Sequence, residues 1–124
     1  MLASLELTKA LKTKLKSKGV TASAYKPEKP SLPFVILGED TQSSDNVKNA
    51  DAVVIRTRLT VYHDYKHMET VKRTLETIRV NCQDLTLDTY EVANVRIIDM
   101  TSNKNREIDT ALGAIEIEYK LIRG

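Results

Sequence analysis

The stretch Ala52-Val53-Val54-Ile55-Arg56-Thr57-Arg58-Leu59-Thr60-Val61-Tyr62 changes character with each residue, as a strand does when its two faces see different surroundings. Val53, Ile55, Thr57, Leu59 and Val61 share one face. Val54, Arg56, Arg58, Thr60 and Tyr62 share the other, which is apolar at its ends and basic in its middle. Such a strand fits a sheet with one face on a core and the other toward solvent or a neighbouring subunit. It leads at once to Asp64, an N-cap residue for a helix reaching about Asn81. Met68, Val71, Leu75, Ile78 and Cys82 follow at steps of three and four, the period of a core-facing stripe. Glu69 with Arg73 and Lys72 with Glu76 make i,i+4 pairs on the outer side. A helix lying across a sheet is the expected unit.

Toward the N-terminus, Ser4 to Lys18 reads as a second helix, with Ser4 as N-cap, Glu6 in the positive first turn and Gly19 as the C′ residue. Leu7, Leu11 and Leu15, with Ala3 and Ala10 beside them, form its apolar stripe. Lys9, Lys12 and Lys16 lie opposite, as a solvated face or a basic contact face. Val20 to Tyr25 suits a short strand. Pro27, Pro30 and Pro33 then stiffen an extended connection into Phe34-Val35-Ile36-Leu37, an apolar run that fits a strand covered on both faces. Glu39 to Asn49 reads as a polar loop carrying Glu39, Asp40, Asp45 and Lys48, a candidate for ordering by a partner.

Beyond the central helix the pattern is β. Leu85 to Leu87 suggests a short strand and Glu91 to Met100 a longer one. Thr101 to Glu107 reads as a polar turn with Ser102-Asn103-Lys104-Asn105 at its tip. Ile108 to Ile122 closes the chain, with Ile115, Ile117, Tyr119 and Leu121 alternating against Glu116, Glu118 and Lys120. The expected order is α-β-β-β-α-β-β-β. It describes one α+β domain over residues 1–124, a mainly antiparallel sheet packed with two helices.

Composition narrows the function classes. A chain of 124 residues, 41% hydrophobic and 29% charged, can build one core without staples and is not a disordered chain. No apolar run approaches the roughly 20 residues of a membrane span, and the start lacks a signal-peptide core, so neither a membrane nor secretion is expected. Residues 1–30 hold seven Lys and two Glu, whereas residues 31–124 hold twelve basic and fifteen acidic residues. A basic leading helix on a balanced body is not the profile of a dedicated nucleic-acid reader.

Catalytic signatures are missing. His63 and His67 stand four apart, but Asp64-Tyr65-Lys66 between them does not supply the Glu and third ligand of a metalloprotease helix, so no metal is expected. Cys82 continues the apolar stripe as a small buried residue, with no base or cationic setting to make it a nucleophile. Gly19, Gly38, Gly113 and Gly124 are too scattered to cradle a phosphate. One Phe, no Trp and five dispersed Tyr give no stacking platform. No enzyme, catalytic residue or cofactor is expected.

The order of elements carries a resemblance. An amphipathic helix precedes Pro30-x-Leu32-Pro33-Phe34-Val35-Ile36-Leu37 and a polar segment. A long strand ending Leu59-Thr60-Val61-Tyr62 then runs into a helix, and Asp109-Thr110-Ala111 leads into Ile115-Glu116-Ile117-Glu118-Tyr119. Over nearly its whole length this resembles the tail terminator (tail completion, or tail-to-head joining) family of long-tailed bacteriophages. The resemblance implies a structural virion protein at the head-proximal end of the tail, assembled in the host cytoplasm. It implies a homo-oligomeric ring, a hexamer, that ends tube polymerisation and meets the tail tube protein and the head-completion connector. Double-stranded DNA would pass through its lumen without sequence recognition. A globule of this length is about 35 Å across, and six in a ring leave a hole of about that width.

On that reading the 39–49 loop, the Ser102–Asn105 turn and the Arg56/Arg58 face are interface candidates, and deleting residues 41–48 should spare folding. Another phage neck or tube subunit, and a small nucleic-acid-binding domain using Lys9, Lys12 and Lys16, are the alternatives.

Overall fold

A computed structural model describes residues 3–24, 32–44 and 52–123. Helix α1 (Ala3–Ser17) precedes strands β1 (Ala22–Ser23), β2 (Phe34–Ser44) and β3 (Ala52–His63). A 3₁₀ turn (Tyr65–His67) opens into α2 (Met68–Asn81), and β4 (Tyr90–Asn105) and β5 (Thr110–Arg123) complete one sheet in the order β1-β2-β3-β5-β4. Only the β1–β2 pair is parallel. The α+β reading and the mainly antiparallel sheet hold. Among the described residues no helix is long and apolar enough to cross a membrane.

Alternation sets the two faces. Val35, Leu37, Ile55, Leu59, Val61, Ile115, Ile117, Tyr119 and Leu121 are buried and join one cluster with Leu7, Leu11 and Leu15 of α1 and Val71, Leu75 and Ile78 of α2. Both helices therefore cover the same face, with α2 over β5 and β3, and α1 beside β1 and β2. The end of α1 is built as expected. Gly19 has φ +83°, Gly19 N–H donates to Lys16 O (3.1 Å) and Val20 N–H to Leu15 O (2.9 Å). This is the paired closure of a Schellman cap, with Val20 packed in the same cluster as Leu15.

Several expectations need correction. Ser4 lies inside the first turn of α1 and does not cap it. Asp64 precedes the 3₁₀ turn and makes no side-chain cap; its carboxylate pairs with His67, and α2 starts at Met68. Leu85–Leu87 forms no strand: Leu85 and Leu87 pack half-buried on the core and Asp84, Thr86 and Asp88 are exposed, but no register pairs this segment with the sheet among the described residues. The expected order thus has one strand too many.

The largest corrections concern polar sequence. Glu39 to Ser44 is not loop but the second half of β2, pairing Thr41 to Ser44 with Arg56 to Val53 past an irregularity between Gly38 and Thr41. The rest of the expected loop, residues 45–49, lies outside the described residues, as do Tyr25 and the Pro27–Pro30 stretch. Deleting residues 41–48 would remove four ladder positions, so it would not spare the fold. Ser102, Asn103, Lys104 and Asn105 are likewise not a turn tip. They pair with Gly113 to Thr110 as the end of β4, and the turn falls at residues 106–109. In both segments main-chain pairing makes the strand, and the side chains of residues 102–105 are all exposed, so no burial imposes alternation there.

Candidate functional site

The face of the sheet away from the helices carries a charge ladder that register builds. Arg56 lies opposite Glu118 and Arg58 opposite Glu116 across β3–β5, and Arg96 lies opposite Glu118 across β4–β5. Arg56 Nε donates to Glu118 Oε2 at 2.8 Å and an Arg96 guanidinium N–H to Glu118 Oε1 at 3.1 Å. The Arg56 hydrogen bond, with the Arg96 charge beside it, holds the Glu118 carboxyl below the usual carboxylate range. Arg56 and Arg58 thus stand opposite carboxylates of β5 in the same chain. Flanking the ladder, Phe34 and Tyr62 stack across β2–β3 with centroids 4.9 Å apart and planes 14° apart.

The other interface candidates are dispersed. Ser102, Asn103 and Lys104 are exposed near the β4–β5 turn, and Lys104 Nζ sits 4.9 Å from the centroid of the Tyr65 ring. The turn is tied to the strand-to-helix junction, because Asp109 Oδ1 accepts from Tyr65 N–H at 3.2 Å. Glu39 and Asp40 fall within β2, and Asp45 and Lys48 lie outside the described residues. Lys9, Lys12 and Lys16 are exposed along α1, on an element of the opposite layer from the ladder. The candidates do not converge on one site.

His63, Asp64 and His67 do converge, with ligand-type atoms within 4.8 Å of one another. The histidine rings stack at 4.3 Å and 16°, so their in-plane lone pairs run in nearly parallel planes. The His63 Nδ1 lone pair is already taken by the Asp64 N–H at 2.8 Å. Burial, followed by the charge of His67, pushes the His63 pKa down against the pull of Asp64. The unfolded chain then takes up a proton near pH 6.5 while the folded chain resists it. Stability should fall as pH drops below about 6.5 and level off below the folded pKa. Thermal melts between about pH 7.5 and pH 5 should show this limb, and His63→Gln should flatten it. An unchanged limb would reject the assignment.

Glu6 was missed as a special residue. It is only 5% exposed, and its Oε1 accepts from Thr89 N–H at 2.7 Å while Oε2 has no partner among the described residues. The available signal was its place between Ala3 and Ala10 on the edge of the apolar stripe, where two small residues leave room for a longer one.

No protein-family model matches the sequence, and a search of curated proteins finds no relative. Among solved structures, the chain is similar to one from the virion of a native gene transfer agent particle. That match has 15% identity, a TM-score of 0.81 and 96% coverage of each chain. It is also similar to the gp17 protein of bacteriophage SPP1, at 18% identity, a TM-score of 0.56, and coverage of 96% of this chain and 91% of that one. At these identities the likeness establishes a shared fold.

Proposed function

We propose that this chain is a structural virion protein that closes as a ring, a hexamer, on the head-proximal end of a phage tail tube. There it ends tube polymerisation and joins the tail to the head connector, with DNA passing through the lumen. The observation that carries this reading is the full-length likeness, TM-score 0.81 over 96% of both chains, to a chain of a gene transfer agent virion. The likeness to a bacteriophage SPP1 protein supports it, as does the order of elements.

The architecture suits such a part. One sheet face is closed by helices, while the other offers an ion-paired ladder flanked by the Phe34–Tyr62 stack. A rigid subunit with two unlike faces can make head-to-tail contacts that close at a fixed rotation. On this reading the open face and the β4–β5 turn meet neighbouring subunits, the tube end or the connector.

Deletion of the gene in its parent phage tests this. Overlong tails detached from heads are expected, with wild-type chain restoring joined virions of normal tail length. Normal virions from the deletion would overturn the reading, and absence of any tail would assign the chain to the tube itself.

A further inference from the structure

Strand β4 ends the sheet and pairs only with β5, so its outer side presents a row of main-chain donors and acceptors without main-chain partners among the described residues. The row is of two kinds. Residues 90–99 hold both irregularities of the strand, between Val92 and Asn94 and between Ile97 and Asp99, and such breaks blunt an edge. Met100 to Asn105 instead pair in unbroken register with Ile115 to Thr110 and contain no proline. Every one of these residues is exposed, and Asn103, Lys104 and Asn105 are poor strand formers. A single ladder holds this stretch extended, and its free side is open to a second. The opposite edge of the sheet is also open. There β1 covers β2 only at Val35 and Ile36, which leaves Thr41 to Ser44 paired on the β3 side alone among the described residues.

We infer that neighbouring copies of this chain join by strand addition, residues 100–105 of β4 in one copy pairing with the 41–44 end of β2 in the next, an inference that rests on the ring reading above. The steps β2–β3, β3–β5 and β5–β4 are all antiparallel, so β4 runs opposite to β2. A second copy set beside the first by a rotation that keeps strand direction therefore brings its β2 antiparallel to the first copy's β4, the more stable of the two pairings. Two different open edges are what a head-to-tail contact needs. The sequence adds charge complementarity: Glu39 and Asp40 precede Thr41, and Lys104 and Arg106 lie at the end of β4. The antiparallel match sets those acids against those bases. Polar side chains suffice for such a contact, because in strand addition the affinity comes from main-chain bonds.

The test uses the whole chain and two variants, Thr101→Pro and Ser102→Pro. Successive N–H groups of an antiparallel edge strand point alternately to its two sides, so one proline removes a ladder bond to β5 and the other only an outward donor. The first should lower the melting temperature, and the second should leave it near that of the wild type. Native mass spectrometry across a concentration series should show rings of the wild type, with association of the stable variant weakened roughly ten-fold or more. In assembled wild type, amide hydrogen exchange should slow at alternate residues of 100–105 relative to the monomer. That readout decides the matter if both prolines destabilise the fold. Rings that survive in the stable variant, or whose outward β4 amides exchange as in the monomer, would overturn strand addition and leave the ring. Open chains of subunits that the stable variant abolishes would support strand addition and overturn the ring. A closed dimer, or a wild type that stays monomeric throughout the series, would overturn strand addition.

Discussion

Gly113→Val should be among the most damaging single substitutions in this chain, and Gly113→Ala should already lower its melting temperature. Gly113 is buried in β5, opposite Val61 on one side and Ser102 on the other, on the face that α2 crosses. A Cβ there would lie 2.7 Å from both Leu75 Cδ1 and Val71 Cγ1, and 3.1 Å from Leu75 Cγ. Two opposed effects meet. Alanine would restrict the unfolded chain and so add about 0.4–1 kcal/mol of stability at a compatible site. Inserting a methyl into a filled core costs about 1–3 kcal/mol. Val71 is fully buried and Leu75 nearly so, which leaves their side chains little room to retreat, and the clash wins. The net loss for alanine, about 1–2 kcal/mol, corresponds to roughly 3–8 °C at this chain length. Valine adds two further methyls and should cost several times as much. In a Leu75→Ala background the penalty of Gly113→Ala should shrink, since the two share one space. An unchanged melting temperature for Gly113→Ala would mean that α2 does not approach β5 here.

That contact was not legible in the sequence. Alternation placed Ile115, Ile117, Tyr119 and Leu121 on the buried face, because a pleated strand with one covered face leaves a period-two record. The same logic found the α1 and α2 stripes. It could not show that a glycine in β5 is where α2 passes closest, since close approach depends on helix placement. It also failed where strand sequence is polar throughout. Thr41–Ser44 and Thr101–Asn105 pair as strands through their main chains, while their polar sequence reads as a loop. The charge ladder was half legible: both Arg56 and Glu118 were visible as alternating charges, but register decides that they face each other. Glu6 was read as a dipole partner because an acidic first turn is common, and only the fold brings Thr89, 83 positions away, onto it.

Tyr119→Phe is the second substitution expected to cost heavily, and its signature extends to pH. Tyr119 is fully buried in β5, and its hydroxyl donates to the main-chain oxygen of Cys82 at 2.7 Å. Cys82 is the C-cap of α2, where carbonyls have no partner within the helix. The phenol therefore satisfies a buried acceptor and pins the helix end to the sheet. Phenylalanine preserves the ring packing but leaves that carbonyl dry, at a cost of about 1–3 kcal/mol. Burial, with the Cys82 charge and the hydrogen bond adding to it, drives the Tyr119 pKa far upward. The unfolded chain releases this proton near pH 10 and the folded chain does not, so the contribution is present below that pH and lost above it. Each pH unit above about 10 should thus cost the wild type about 1.4 kcal/mol through this one group. Burial also holds the Cys82 thiol up, so an alkaline limb from that group remains in both proteins. Urea midpoints at about pH 8 and pH 11 separate the two effects. At the lower pH the variant should be less stable; at the higher the gap should narrow. A gap that stays constant with pH would mean that the phenol is not sealed between β5 and the end of α2.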